Sequence, residues 1–202
     1  GFLACAPEVR ESINQAEKIL LAMGHHVERT CPDFSNAEET FQVLRAHMLA
    51  TDKRELYSLH KNTIKEDLRL NIEKGFHLTE EQIGKAQLSR GKLVNNTNLF
   101  FEKFDLLISP SSMVAPFNIK EPWPKKVEQT HFDNYVSWLM TAATISLTGC
   151  PSLAVPFIKI ENNLPIGIQI VTRRRNESLL LSFGHLFQKY TNNYNITPIE
   201  PG

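Results

Sequence analysis

A chain of 202 residues with 42% apolar and 22% charged side chains has the composition of a globular domain long enough to bury a sizeable core. Lys plus Arg and Asp plus Glu number 22 each, so no net field steers the chain toward nucleic acid or an anionic membrane surface. Three widely spaced cysteines with no CxxC pair argue against a disulfide framework or zinc site, and for free thiols in a reducing, cytoplasmic compartment.

Gly1-Phe2-Leu3-Ala4-Cys5-Ala6 lacks a basic leader and a long apolar core, and reads as the middle of a longer protein. No apolar run reaches the length of a bilayer span. Residues 7–23 predict a helix, with Pro7 in the first turn, Val9, Ile13, Ala16, Leu20 and Met23 at helical spacing, and Gly24 as C-cap. A short strand is expected at 25–28. Asn36, followed by Glu39 three positions on, opens a second helix within 33–50. A polar helical stretch over 52–74 should stop at Gly75. Thr79 and Gln82 then start the longest helical pattern, through Phe101.

The run Phe104-Asp105-Leu106-Leu107-Ile108-Ser109-Pro110 is continuously apolar and reads as a strand of the type buried in a parallel sheet. Residues 113–127 are rich in proline and predict a surface loop, and 132–147 a helix. Two apolar runs at 153–155 and 166–171, joined by Glu161-Asn162-Asn163, predict paired buried strands. A helix over 177–190 precedes a tail at 191–202. Helices alternating with buried strands give an α/β class.

The motifs Gly149-Cys150-Pro151-Ser152-Leu153-Ala154-Val155-Pro156 and Pro165-Ile166-Gly167-Ile168-Gln169-Ile170-Val171 resemble the C-terminal part of the amidase signature family. Three further pieces are similar to that family in the same order. They are Phe2 with Pro7-Glu8-Val9-Arg10 and the helix end running to Glu28, Gly75-Phe76-His77-Leu78 with Ala86-Gln87-Leu88-Ser89-Arg90, and the strand ending at Pro110. The resemblance implies an α/β/α fold with a central mixed sheet flanked by helices, of which residues 1–202 form the C-terminal portion. It also implies amide hydrolysis to acid and ammonia or amine, with no metal or organic cofactor.

Family members activate a serine nucleophile through a second serine and a lysine, carried in a Gly/Ser-rich run. None of the nine glycines here is adjacent to another, and the only serine pair, Ser111-Ser112, follows a strand in a proline-rich loop. The resemblance therefore implies that the catalytic residues lie upstream and that this chain alone is inert. A non-catalytic binding or scaffold module that keeps half an amidase fold is the alternative. Leu139-Met140-Thr141-Ala142 and Ser146-Leu147-Thr148-Gly149 lack the Asp and Asn of the glutamyl-tRNA amidotransferase branch, which favours a general small-molecule amidase.

The candidate substrate-binding residues are Arg90, Gly149 and Gln169. By resemblance Arg90 faces the active-site region, against the alternative of a solvated or structurally paired arginine. Gly149 forms a helix-to-strand turn that could edge the acyl pocket. Gln169 is a polar amide in an apolar strand and needs a hydrogen-bond partner if buried, while Gly167 permits close backbone approach. Cys150 reads as a packed thiol rather than a nucleophile. His25 and His26 are adjacent and should diverge, so no metal site is expected. Arg173-Arg174-Arg175 reads as a solvated turn, and neither nucleic acid nor membrane is expected as a partner. Self-association into a homo-oligomer is left open.

Overall fold

The computed structural model describes residues 3–159 and 164–192. Helix α1 (Pro7–Ala22) starts where Pro7 needs no backbone donor, and its buried stripe Val9, Ser12, Ala16, Leu20 follows the three-to-four spacing of one helical face. Gly24 ends it with a positive φ of 88°. The segment 25–28 is not a strand. It pairs with no strand among the described residues, and its side chains pack instead: the His25 ring meets Phe183 edge-on at 5.5 Å, and His26 bonds Glu28 at 3.0 Å. The two histidines diverge, and no group of three His, Cys, Asp or Glu residues able to hold a metal occurs among the described residues.

Helix α2 (Ala37–Asp52) begins after Asn36, which adopts the left-handed conformation and makes no side-chain cap. The stretch expected as one helix up to Gly75 is two, α3 (Arg54–His60) and α4 (Glu66–Phe76). Helix α4 runs through Gly75 because its bare Cα packs on α2. A Cβ there would lie 2.1 Å from the carbonyl oxygen of Ala46 and 2.5 Å from Ala50 Cβ. Helix α5 (Glu80–Phe100) opens with a reciprocal cap: Gln82 N–H donates to Thr79 Oγ1 at 3.2 Å, and Thr79 N–H donates to Gln82 Oε1 at 2.9 Å.

Strand β1 (Leu106–Pro110) leads into an irregular segment holding a small hairpin, β2 (Lys126–Val127) with β3 (Thr130–His131). A short 3-10 turn (Ser137–Leu139) precedes α6 (Met140–Thr148), which begins well after the helix start that the apolar pattern suggests. Strands β4 (Ser152–Lys159) and β5 (Pro165–Thr172) and helix α7 (Glu177–Tyr190) complete the order. The expected turn at 161–163, Phe2 and the tail beyond Asn192 lie outside the described residues.

The three apolar strands form one sheet in the order β1-β5-β4, so the runs read from sequence share one sheet. Both pairings are antiparallel, with Leu107 opposite Val171 and Val155 opposite Ile168. The continuous apolar character that suggested parallel pairing comes instead from coverage of both faces. Ile168 and Ile170 are fully buried in a cluster with Ala16 and Leu20 of α1 and Leu180, Phe183 and Phe187 of α7. On the other face Leu107 and Val171 join Leu93 of α5 and Met140, Ile145 and Leu147 of α6. Burial contributes about 1.5–3 kcal/mol for each such aliphatic side chain, so a strand covered on both faces has no position for a polar residue without a partner.

Candidate functional site

Helix α6 organises the candidate site. Gly149 caps it with φ +68°, a conformation that L side chains adopt at a cost. Arg90, half-buried on α5, donates from Nε to the carbonyl oxygen of Leu147 at 3.1 Å. Arg174, from the turn after β5, donates from Nε to the next carbonyl, Thr148, at 2.8 Å, and bonds it through Nη2 as well. Two guanidinium groups thus meet the negative end of α6, where cations are favoured. Neither pairs with a carboxylate among the described residues. The helix end is braced further by Thr148, whose hydroxyl donates to Ile145 O at 2.7 Å and accepts from Cys150 N–H at 3.1 Å.

Gln169 lies elsewhere. It is opposite Ser109 on β1 and Ala154 on β4, 7% exposed, and its Nε2 donates to Ser109 Oγ at 3.3 Å. Its amide is therefore satisfied by a neighbouring strand. Two residues earlier on the same face, Gly167 lets Ser111 approach: the Ser111 hydroxyl donates to Gly167 O at 3.0 Å, and an added Cβ would lie 2.9 Å from that hydroxyl oxygen. The pairs Ser109–Gln169 and Ser111–Gly167 make a polar row along the sheet, and Thr141 of α6 closes it by donating to Ser111 O at 3.4 Å.

At the end of that row lies a cavity of about 360 Å³, with Ser111, Ser112 and Gly167 on one side and Phe117 and Trp138 on another. It is at the N-terminal end of α6, while Arg90, Arg174 and Gly149 gather at the C-terminal end, about 13 Å away along a nine-residue helix. Of the three residues picked from sequence, Arg90 and Gly149 come together around one helix end, and no hydrogen bond joins them to Gln169. Cys150 is half-exposed and its backbone N–H is held by Thr148.

Three contributors were not singled out by sequence as site residues. Arg174 read as a solvated turn, yet it packs over Gly149, with a Cβ at that position only 2.9 Å from its Nη2. Phe117 stands in the proline-rich loop and Trp138 in the stretch expected as helix, and their rings meet edge-to-face at 5.5 Å across a long stretch of chain. The one signal available was the placement of Trp123 in a proline-rich loop that needs no core aromatic, since Trp138 falls within the helix expected over 132–147.

A family model, Amidase, matches residues 3–181. The chain belongs to the Amidase family. Among Amidase-family relatives, a glutamyl-tRNA(Gln) amidotransferase component from Brevibacillus brevis is 25% identical over 217 residues, covering 95% of this chain and 43% of the relative. The corresponding protein from Pseudothermotoga lettingae is 34% identical over 119 residues, covering 58% of this chain and 23% of the relative. A solved amidase crystal structure superposes with TM-score 0.81 at 22% identity, over 93% of this chain and 43% of that one, and shows the shared α/β fold. The chain spans less than half the length of the curated relatives it matches. No described helix is long and apolar enough to cross a membrane.

Proposed function

We propose that residues 1–202 are the C-terminal portion of a general amidase that hydrolyses a small carboxylic amide to acid and ammonia or amine, without metal or organic cofactor, in the cytoplasm. The observation that carries this reading is the Amidase match running through 3–181, over nearly the whole described chain. The helix end at Gly149, with Arg90 beside it, would border the substrate, and Gln169 would hold the sheet wall behind it. Arg90 uses Nε on Leu147 O, which leaves its terminal nitrogens as donors for a substrate oxygen.

The nucleophile and its base belong, in this proposal, to the part of the protein outside these residues. Two observations support that. The Ser111 hydroxyl donates to Gly167 O, and the Ser112 hydroxyl accepts from Val114 N–H at 3.3 Å. Neither bonds a lysine or histidine among the described residues, as an activated serine requires. The general-amidase branch is preferred because the Asp and Asn of the amidotransferase pattern are replaced around Met140 and Leu147.

Ammonia release from simple carboxamides tests the reading. The 202-residue chain should release none. The full-length protein containing it should release ammonia, and Arg90→Ala should lower its kcat/KM. Release by the isolated chain that disappears on Ser111→Ala or Cys150→Ala would refute the proposal, and so would a full-length protein inert toward every carboxamide.

A further inference from the structure

Residues 114–125 form neither helix nor strand, yet they are ordered from within. Asn118 Oδ1 accepts from Lys120 N–H at 3.0 Å, and the Asn118 carbonyl accepts from Glu121 N–H at 2.9 Å. Lys125 Nζ lies 3.4 Å over the Trp123 ring, and Trp123 meets Tyr135 edge-on at 6.4 Å. Tyr135 meets Trp138 at 6.2 Å, and Trp138 meets Phe117 at 5.5 Å. Contacts made within the segment and its aromatic neighbours, rather than to the sheet, mark a piece that moves as one unit. It is a strap between two posts: Met113 and Val127 are 2% and 6% exposed, while Ile119 between them is 96% exposed. Its inner side faces Trp138, Ser111 and Gly167 at the start of α6.

Both posts are tied to the beginning of α1. The Ala6 N–H donates to Met113 O at 2.9 Å. Just past the other post, Arg10 grips Glu128 with both terminal nitrogens, Nη1 donating to Oε2 at 2.8 Å and Nη2 to Oε1 at 2.6 Å. Nη1 also donates to Cys5 O at 2.6 Å, which fixes the guanidinium against the chain ahead of the helix. The carboxylate so held belongs to a strained residue. Glu128 opens the two-residue turn between β2 and β3 with φ 50°, where Gly or Asn would be at ease. Such a conformation persists in a glutamate only where surrounding contacts hold it, and Arg10 supplies the hold. The two side chains are 50% and 42% exposed, so the pair parts at far lower cost than a buried one.

From this we infer that Arg10 and Glu128 form a clasp that keeps residues 114–125 closed over the start of α6, and that strain in the Glu128 turn biases the strap toward an open position once the clasp parts. The hinge is Met113, which Ala6 keeps in place. The moving end is the β2–β3 hairpin, which pivots on Val127 and Phe132, in the core with Cys5, Ala6 and Val9. Opening brings solvent to the space between Phe117, Trp138 and Gly167. The clasp works in the same way whatever reaction the protein catalyses.

Limited proteolysis of the full-length protein containing these residues tests the clasp, because Lys120 and Lys125 are exposed within the strap. Cleavage of a segment that opens and closes rapidly follows its open population. Tryptic cuts after Lys120 and Lys125, mapped by mass spectrometry, should quicken about threefold to fivefold in Arg10→Ala and in Glu128→Ala, the yield of one exposed bidentate pair. The double variant should be no faster than either single one, since each already removes the pair. In the Arg10→Ala background, Glu128→Gly relieves the backbone without restoring a carboxylate and should slow these cuts again. Unchanged cleavage in either single variant, or increases that multiply in the double, overturns the clasp. Cuts that quicken equally at lysines throughout the protein overturn it too, since that is loss of the fold. Faster cleavage on adding Glu128→Gly to Arg10→Ala overturns the strain bias.

Discussion

Replacing Gly149 by alanine probes the joint between α6 and the sheet. At φ +68° an L residue is strained by about 1–2 kcal/mol. The new Cβ would also lie 2.9 Å from Arg174 Nη2, 3.2 Å from Nε and 3.3 Å from Cζ. The guanidinium is the far end of a flexible side chain, so it moves and the backbone stays. Moving breaks its bonds to Thr148 O and removes a cation from a helix C-terminus, a further loss of about 0.3–1 kcal/mol. The total for Gly149→Ala is then about 2 kcal/mol. Arg174→Ala removes the second part in advance, so in that background Gly149→Ala should cost only the strain. Urea unfolding of the four chains by far-UV circular dichroism reads the cycle. Two costs that simply add, or a Gly149→Ala chain that unfolds within about 0.5 kcal/mol of the parent, the usual scatter of neutral substitutions, would refute this coupling.

Gly75→Ala should destabilise by about 2 kcal/mol despite the better helix propensity of alanine, because overpacking against a backbone carbonyl 2.1 Å away outweighs a gain of about 1 kcal/mol; a raised melting temperature would contradict this. Acid should weaken the fold. Hydrogen bonds from Arg10, Arg29 and Tyr57 hold the carboxyls of Glu128, Glu17 and Glu73 below their ordinary value of 4.5, so the stability they contribute is complete above that pH and is lost as pH falls through the lowered values. A urea midpoint unchanged from about pH 6 to about pH 3 would show these contacts are not retained in solution. The isolated 202-residue chain should self-associate, since Leu88, Leu99, Leu181 and Leu186 are exposed on helices and the chain is less than half the length of its relatives; a concentration-independent monomer in sedimentation velocity would refute it.

Where local chemistry fixes an element, the sequence showed it. The Thr79–Gln82 cap, the Pro7 start and the boundaries of α7 all follow from residues within one turn of the feature. What stayed hidden depends on distant partners. The apolar run of β1 gives no pairing direction, because burial on both faces produces the same pattern in parallel and antiparallel sheets. Gly75 reads as a helix stop, and only the neighbouring α2 shows that it is a contact. The buried amide of Gln169 signalled the need for a partner and left open that Ser109 provides it. Arg174 reaches a backbone carbonyl 26 positions away, a type of bond that leaves no trace in side-chain patterning.

The join between α2 and the α3–α4 arm has a consequence for how the molecule breathes. Helix α3 buries no residue and α4 buries only Ile72, while Leu56, Leu59 and Leu70 remain exposed. Surface contacts hold the arm together: the Tyr57 hydroxyl donates to Glu73 at 2.9 Å, the Tyr57 ring meets Phe76 at 5.3 Å, and Arg54 lies over Phe76 at 4.8 Å. It seats on α2 through the backbone contact at Gly75, the fully buried Ile72 and a bond from Lys74 Nζ to Gln42 Oε1 at 2.9 Å. Amide protons of residues 54–76 should therefore exchange with deuterium through a partial opening that leaves β5 protected, making the arm a separate cooperative unit whose release costs a fraction of global unfolding.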